Sequence, residues 1–193
     1  MTATPRVLAF AGSLRAGSFN KKLVKVAADA ARQVGAEVTL IDLRDFPMPL
    51  YDGDIESSSG LPAEAQRLKA LFLENDALLI ASPEYNGSMT APLKNALDWV
   101  SRREGDEPPL AAYRGKTAAL VSASPGALGG IRSLGHVREV LLNMGVFVVP
   151  QRHALSRANT VFDDSGAMTD AQQEAAVMAV AATLVETTRK LLT

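Results

Sequence analysis

The sequence predicts an α/β protein built on a doubly wound, five-stranded parallel sheet in the strand order 2-1-3-4-5. Three observations predict it. Short apolar runs alternate with stretches of helical periodicity along the chain, the rhythm of parallel strands joined by crossover helices. The 193 residues, 47% of them hydrophobic, suit one domain over 1–193 with a sizeable core. The loops that stand out by composition follow strands one, three and four, so this sheet would gather all three at its carboxyl edge.

The elements follow in order. Arg6–Ala11 carries the apolar run Val7-Leu8-Ala9-Phe10-Ala11 and forms the first strand. A helix beginning near Lys21 places Leu23, Val26, Ala27, Ala30 and Val34 on one face and stops at Gly35, a left-handed cap. Glu37–Asp42 is the second strand. Asp45–Gly60 holds Pro47, Pro49, two glycines and a serine run, which predicts a surface loop. The second helix runs from Pro62, a good first-turn residue, through Ala65, Leu68 and Phe72 to Asn75. Ala77–Ser82 is strand three, and Leu93, Ala96, Leu97 and Val100 stripe the next helix. The polar segment Ser101–Gly115 leads to strand four, Thr117–Ser122. The fourth helix uses Leu134, Val137, Leu141 and Met144 and ends at Gly145; Val146–Val149 is strand five. A last helix starts at Thr169, with Gln172 completing a capping box.

Composition narrows the function. A net charge of -1 and a sequence pI near 6.1 favour neither nucleic acid nor an anionic membrane. The absence of cysteine excludes a disulfide framework, a thiolate nucleophile and a thiolate metal site. No signal-like segment opens the chain and no apolar run approaches ~18 residues, so a cytoplasmic protein is expected. His136 and His153 stand in no metal or triad pattern, there is no G-x-S-x-G elbow, and Asp52-Gly53-Asp54 lacks the rest of an EF-hand.

The chemistry lies in the three loops. The first, Gly12-Ser13-Leu14-Arg15-Ala16-Gly17-Ser18-Phe19-Asn20, joins a strand to a helix N-terminus. Backbone N–H groups and the positive end of the helix dipole therefore meet two hydroxyls (Ser13, Ser18), an amide (Asn20) and the Arg15 guanidinium, a set suited to phosphate. Helix capping alone accounts for Ser18 but not for its companions. Leu14 stands where a dinucleotide G-x-G-x-x-G needs its second Gly, and no Lys follows Gly17 as a P-loop requires, so one terminal phosphate fits best. The second loop, Pro83-Glu84-Tyr85-Asn86-Gly87-Ser88, offers backbone groups to the edge of a planar ring, with Gly87 free to take positive φ. Glu84 is either a solvated carboxylate or a proton-transfer group. The third, Ser124-Pro125-Gly126-Ala127-Leu128-Gly129-Gly130, allows close backbone approach or makes a tight turn. Trp99 lies off its helix's apolar stripe, as surface packing or as an intersubunit or ligand-side contact.

The first two loops, the following Leu93-Lys94-Asn95-Ala96-Leu97-Asp98-Trp99 and the Ser-Pro-Gly-x-x-Gly-Gly of the third resemble the NADPH-dependent FMN reductase family, notably its bacterial quinone and chromate reductases. The resemblance covers roughly residues 6–150. It implies a flavodoxin-like fold, bound FMN, reduction by NADPH or NADH, and hydride transfer to quinones or other small acceptors, with no nucleic-acid or membrane partner. Carried over by position, Ser13, Arg15, Ser18, Phe19 and Asn20 would form the phosphate loop. Pro83, Glu84, Tyr85, Asn86 and Gly87 would border the flavin ring, with Ser124 and Gly126 behind it. No catalytic side chain and no metal is implied, because the cofactor carries the chemistry. The resemblance also implies a homodimer or homotetramer. A non-enzymatic electron carrier of flavodoxin type is the alternative; such carriers are usually strongly acidic, whereas this chain is near neutral.

Overall fold

The computed structural model describes residues 3–192. Five parallel strands, β1 (Arg6–Ala11), β2 (Glu37–Asp42), β3 (Ala77–Ala81), β4 (Thr117–Ala123) and β5 (Phe147–Leu155), form one sheet in the order β2-β1-β3-β4-β5. The helices are α1 (Phe19–Gln33), α2 (Gly53–Ser59), α3 (Ala63–Glu74), α4 (Ala91–Val100), α5 (Ile131–Asn143) and α6 (Ala171–Leu191).

The strand period of two divides the core. Val7, Ala9 and Ala11 face α1 and α6 together with Leu79, Val121, Leu184 and Val185. Leu8 and Phe10 face α3, α4 and α5 together with Phe72, Leu97, Tyr113 and Leu141. The central strands β1, β3 and β4 are buried along almost their whole length, as parallel strands covered on both faces must be.

The structure departs from the sequence reading in four places. The stretch expected as a loop over Asp45–Gly60 contains α2. Asp52 caps it, accepting from Asp54 N–H at 2.8 Å, and the Ser57 and Ser58 hydroxyls donate to Gly53 O and Asp54 O. Strand five runs on to Leu155, placing His153 inside it. A register irregularity between its pairings with Ala118 and Leu120 leaves Pro150, which has no N–H, out of the ladder. The last helix is capped by Asp170, whose carboxylate accepts from Gln172 and Gln173 N–H, because Thr169 turns back to bond Val161 O. Trp99 is 0% exposed: its indole N–H donates to Pro49 O at 2.8 Å, and Tyr51 packs edge-on at 5.0 Å. It is neither a surface nor a ligand-side residue.

Backbone bonds carry the sheet pattern past the strand ends, from Gly12 N–H to Ala81 O, Ser82 N–H to Val121 O and Ser124 N–H to Leu155 O, each 2.9–3.0 Å. The three loops are thereby fixed side by side at the carboxyl edge. Gly12 is required there, since an added Cβ would come 2.8 Å from Leu93 Cβ. Thr90 caps α4, accepting from Leu93 N–H, and donates to Gly12 O at 2.5 Å, so one hydroxyl joins the α4 start to the first loop.

Candidate functional site

The first loop delivers α1 with an open N-terminal end. Ser18 is the N-cap residue and is 5% exposed, yet its hydroxyl makes no bond to the helix backbone. No acidic residue occupies the first turn to compete for the dipole. Ser13 is buried, and its hydroxyl accepts from Arg15 N–H at 3.3 Å, which folds the loop back on itself. The Arg15 side chain is exposed and, among the described residues, joins no ion pair. Phe19 stacks on Phe162, with ring centroids 6.2 Å apart. Asn20 is committed elsewhere than expected: its amide donates to Ala123 O at 2.8 Å and its carbonyl accepts from Ala123 N–H at 3.0 Å. Asn20 therefore sets the distance between the first and third loops, while Ser13, Arg15, Ser18 and the first-turn N–H groups stay around the α1 N-terminus.

The second loop is a hairpin turn. Tyr85 and Ser88 exchange backbone bonds at 2.9 and 3.1 Å, and the central pair Asn86-Gly87 has φ 52° and 82°, the geometry that Asn-Gly favours. Tyr85 is about half exposed beside the buried Pro83. The Glu84 side chain turns away from solvent to the start of α5, accepting from Arg132 N–H at 3.0 Å, Arg132 Nε at 2.6 Å and Ser133 N–H at 3.4 Å, and pairing with Arg132 Nη2. Burial opposes its charge, but the Arg132 side-chain bond, the helix N–H groups and the Arg132 charge outweigh it and hold the carboxyl below its ordinary pKa. Glu84 thus stays an ionised clamp at neutral pH, which leaves proton transfer without support. Ser88 Oγ and His136 Nδ1 share a hydrogen bond at 2.8 Å, a second tie from this loop to α5.

In the third loop Gly129 makes a close backbone approach to β5. A Cβ on Gly129 would lie 2.6 Å from the Ala154 carbonyl, and Gly129 and Gly130 take φ 61° and 90°. Ser124 Oγ accepts from Gly126 N–H at 3.1 Å, fixing the turn. Between the second and third loops lies a cleft of about 530 Å³, lined by Glu84, Asn86, Gly87, Ser124, Gly126 and Leu128 among others. On the other flank of the first loop, Leu14, Phe46, Met48, Leu50, Pro92 and Ala96 line a more apolar groove of about 440 Å³. The sequence does not reveal the ties made by Thr90, Arg132 and His136, which join segments distant in the chain.

An open helix end with phosphate-suited groups, beside a cleft at the carboxyl edge of a flavodoxin-like sheet, defines a mononucleotide-binding α/β protein. Comparison narrows the class: the family described as NADPH-dependent FMN reductase matches residues 5–160. The chain belongs to that family. It is 40% identical over 145 residues to an NADPH:quinone oxidoreductase of Arabidopsis thaliana, covering 74% of this chain and 67% of that one. It is 36% identical over 153 residues to a quinone reductase of Escherichia coli, covering 77% and 76%. The solved structure of FerB, a flavoenzyme NAD(P)H:(acceptor) oxidoreductase from Paracoccus denitrificans, superimposes with a TM-score of 0.79 at 28% identity, over 97% of this chain and 98% of that one.

Proposed function

We infer that the protein is an FMN-dependent NAD(P)H oxidoreductase acting on quinones and similar small acceptors. Family membership carries the reaction class. The observation that carries the cofactor's seat is the α1 N-terminus, where the unbonded hydroxyl of Ser18 and an Arg15 without an ion pair among the described residues fit a phosphate monoester. FMN held there would supply the hydride-transfer chemistry between reduced nicotinamide and acceptor.

The residues hold and orient. Arg15 grips phosphate oxygens, Ser13 and Ser18 fill remaining lone pairs, and first-turn N–H groups complete the cradle. Backbone of Pro83 to Gly87 borders the ring edge, with Ser124 and Gly126 behind. Glu84 contributes by locking that backbone to α5 through Arg132 rather than by moving a proton. A second copy of the chain, in a homodimer or homotetramer, covers the apolar groove beside the first loop.

Steady-state oxidation of NADPH or NADH with a quinone, in the presence of FMN, tests the reading. Donor and acceptor using one cleft in turn should give parallel double-reciprocal lines. A protein that binds FMN and turns over no acceptor is an electron carrier instead.

A further inference from the structure

Arg157 holds φ 50°, in the left-handed region that favours glycine. It stands just past β5, where its N–H donates to Gly126 O at 3.4 Å and the Ala158 N–H donates to Ser124 O at 3.1 Å. The chain then follows the first turn of α1: Phe162 stacks on Phe19, and Lys22 Nζ donates to Asp163 O at 3.5 Å. Asn20 ties that turn to Ala123 from the other direction. These contacts seat Arg157 at the β4–β5 side of the helix end that Arg15 approaches from the β1 side. The Arg157 side chain is exposed and, among the described residues, has no ion-pair partner.

Charge supplies the reason for a second cation. A phosphate monoester carries about -1.5 to -2 at neutral pH. Arg15 and the α1 dipole together supply roughly +1.5. Ser18 is a buried residue whose hydroxyl bonds nothing in the helix, which leaves that hydroxyl free for a ligand at the same spot. We propose that Arg157 supplies a second guanidinium, besides Arg15, to a phosphate monoester held at the α1 N-terminus. The inference rests on reading that end as the FMN cradle and makes Arg157 a determinant of FMN over riboflavin.

FMN and NADPH both carry a phosphate monoester, so the experiment separates them. Apoprotein of the parent, Arg15→Ala, Arg157→Ala and Arg157→Gly is titrated with FMN and with riboflavin by flavin fluorescence, and KM is measured for NADPH and NADH. Arg157→Ala should weaken FMN binding about tenfold, the loss of one charge-assisted contact, and leave riboflavin unchanged. Arg157→Gly should lose the same affinity without a lower denaturation midpoint, because glycine suits that φ; a merely structural arginine would not separate the two readouts. Parental FMN affinity in both Arg157 variants, with Arg15→Ala weakened, overturns the inference and leaves the cradle standing. A rise in KM for NADPH alone, with FMN affinity intact, assigns Arg157 to the nicotinamide cofactor and equally overturns it. Parental FMN affinity in Arg15→Ala as well overturns the cradle itself.

Discussion

Arg15 and Glu84 show how differently two charged loop residues can be used. The Arg15 side chain has no ion-pair partner among the described residues, so its charge is available to a ligand. Arg15→Ala should remove a contact of ~1.5–3 kcal/mol and weaken FMN binding roughly ten- to hundred-fold, read by fluorescence titration of apoprotein. Unchanged affinity would mean the cradle is elsewhere. Glu84 is already bound by Arg132 and the α5 N-terminus, and its pKa is lowered in the folded state. The sign follows: the folded protein holds the carboxyl ionised more strongly than the unfolded chain does. Its stabilisation is therefore present above the ordinary carboxylate pKa and is lost as pH falls through the lowered folded value. Glu84→Gln should cost ~1 kcal/mol at neutral pH, lessening as pH falls into that acid range. Urea midpoints across the range would show it, and an unchanged cost at every pH would remove the clamp.

At the scale of elements, what the sequence revealed depended on whether the deciding contacts were local. β1, β3 and β4 could be read because each is an apolar run closed by a turn signal, whereas only the apolar start of β5 could be, since Pro150-Gln151-Arg152-His153 has loop composition. The Asn86-Gly87 turn could be read because its φ requirement lies in those two residues. The short helix α2 could not, since Ser57-Ser58-Ser59 beside Gly60 has loop composition. Its support comes from Arg102, which pairs with Glu56 at 2.8 Å from beyond α4. Trp99 is the sharpest case: it lies off the main stripe of α4 because a separate small cluster with Leu61 and Ala65 covers it. The first loop's place at the α1 N-terminus was legible from the strand-loop-helix order, but Asn20's bond to Ala123, 103 residues away, was not. A buried indole of this kind makes Trp99→Ala a core deletion costing about 3–5 kcal/mol. Trp99→Phe should lose less, keeping most of the packing and giving up the bond to Pro49. Denaturant midpoints of the two variants would check this, and a stable Trp99→Ala would return the residue to the surface.

For the whole molecule the open question of assembly turns on the groove beside the first loop. Leu50 is 76% exposed and Leu14 48%, and between them the lining is Phe46, Met48, Pro92 and Ala96. Leu14 and Leu50 stand exposed at the rim of a groove floored by the buried Phe46 and Ala96, an apolar concavity rather than two scattered side chains. The groove also adjoins the α4 start, which Thr90 ties to Gly12, so a copy seated there would adjoin the cradle. Trp99 is withdrawn from this surface, which leaves Leu50 as the anchor to remove. The parent should then be a dimer or larger by light scattering at micromolar concentration. Leu50→Asp, placing a charge where an apolar contact is buried, should shift it toward monomer by at least about tenfold in the dissociation constant. Because Leu50 is largely exposed, its denaturation midpoint at high dilution should match the parent's. A parent that is monomeric and fully active with quinone would show that the groove needs no second copy.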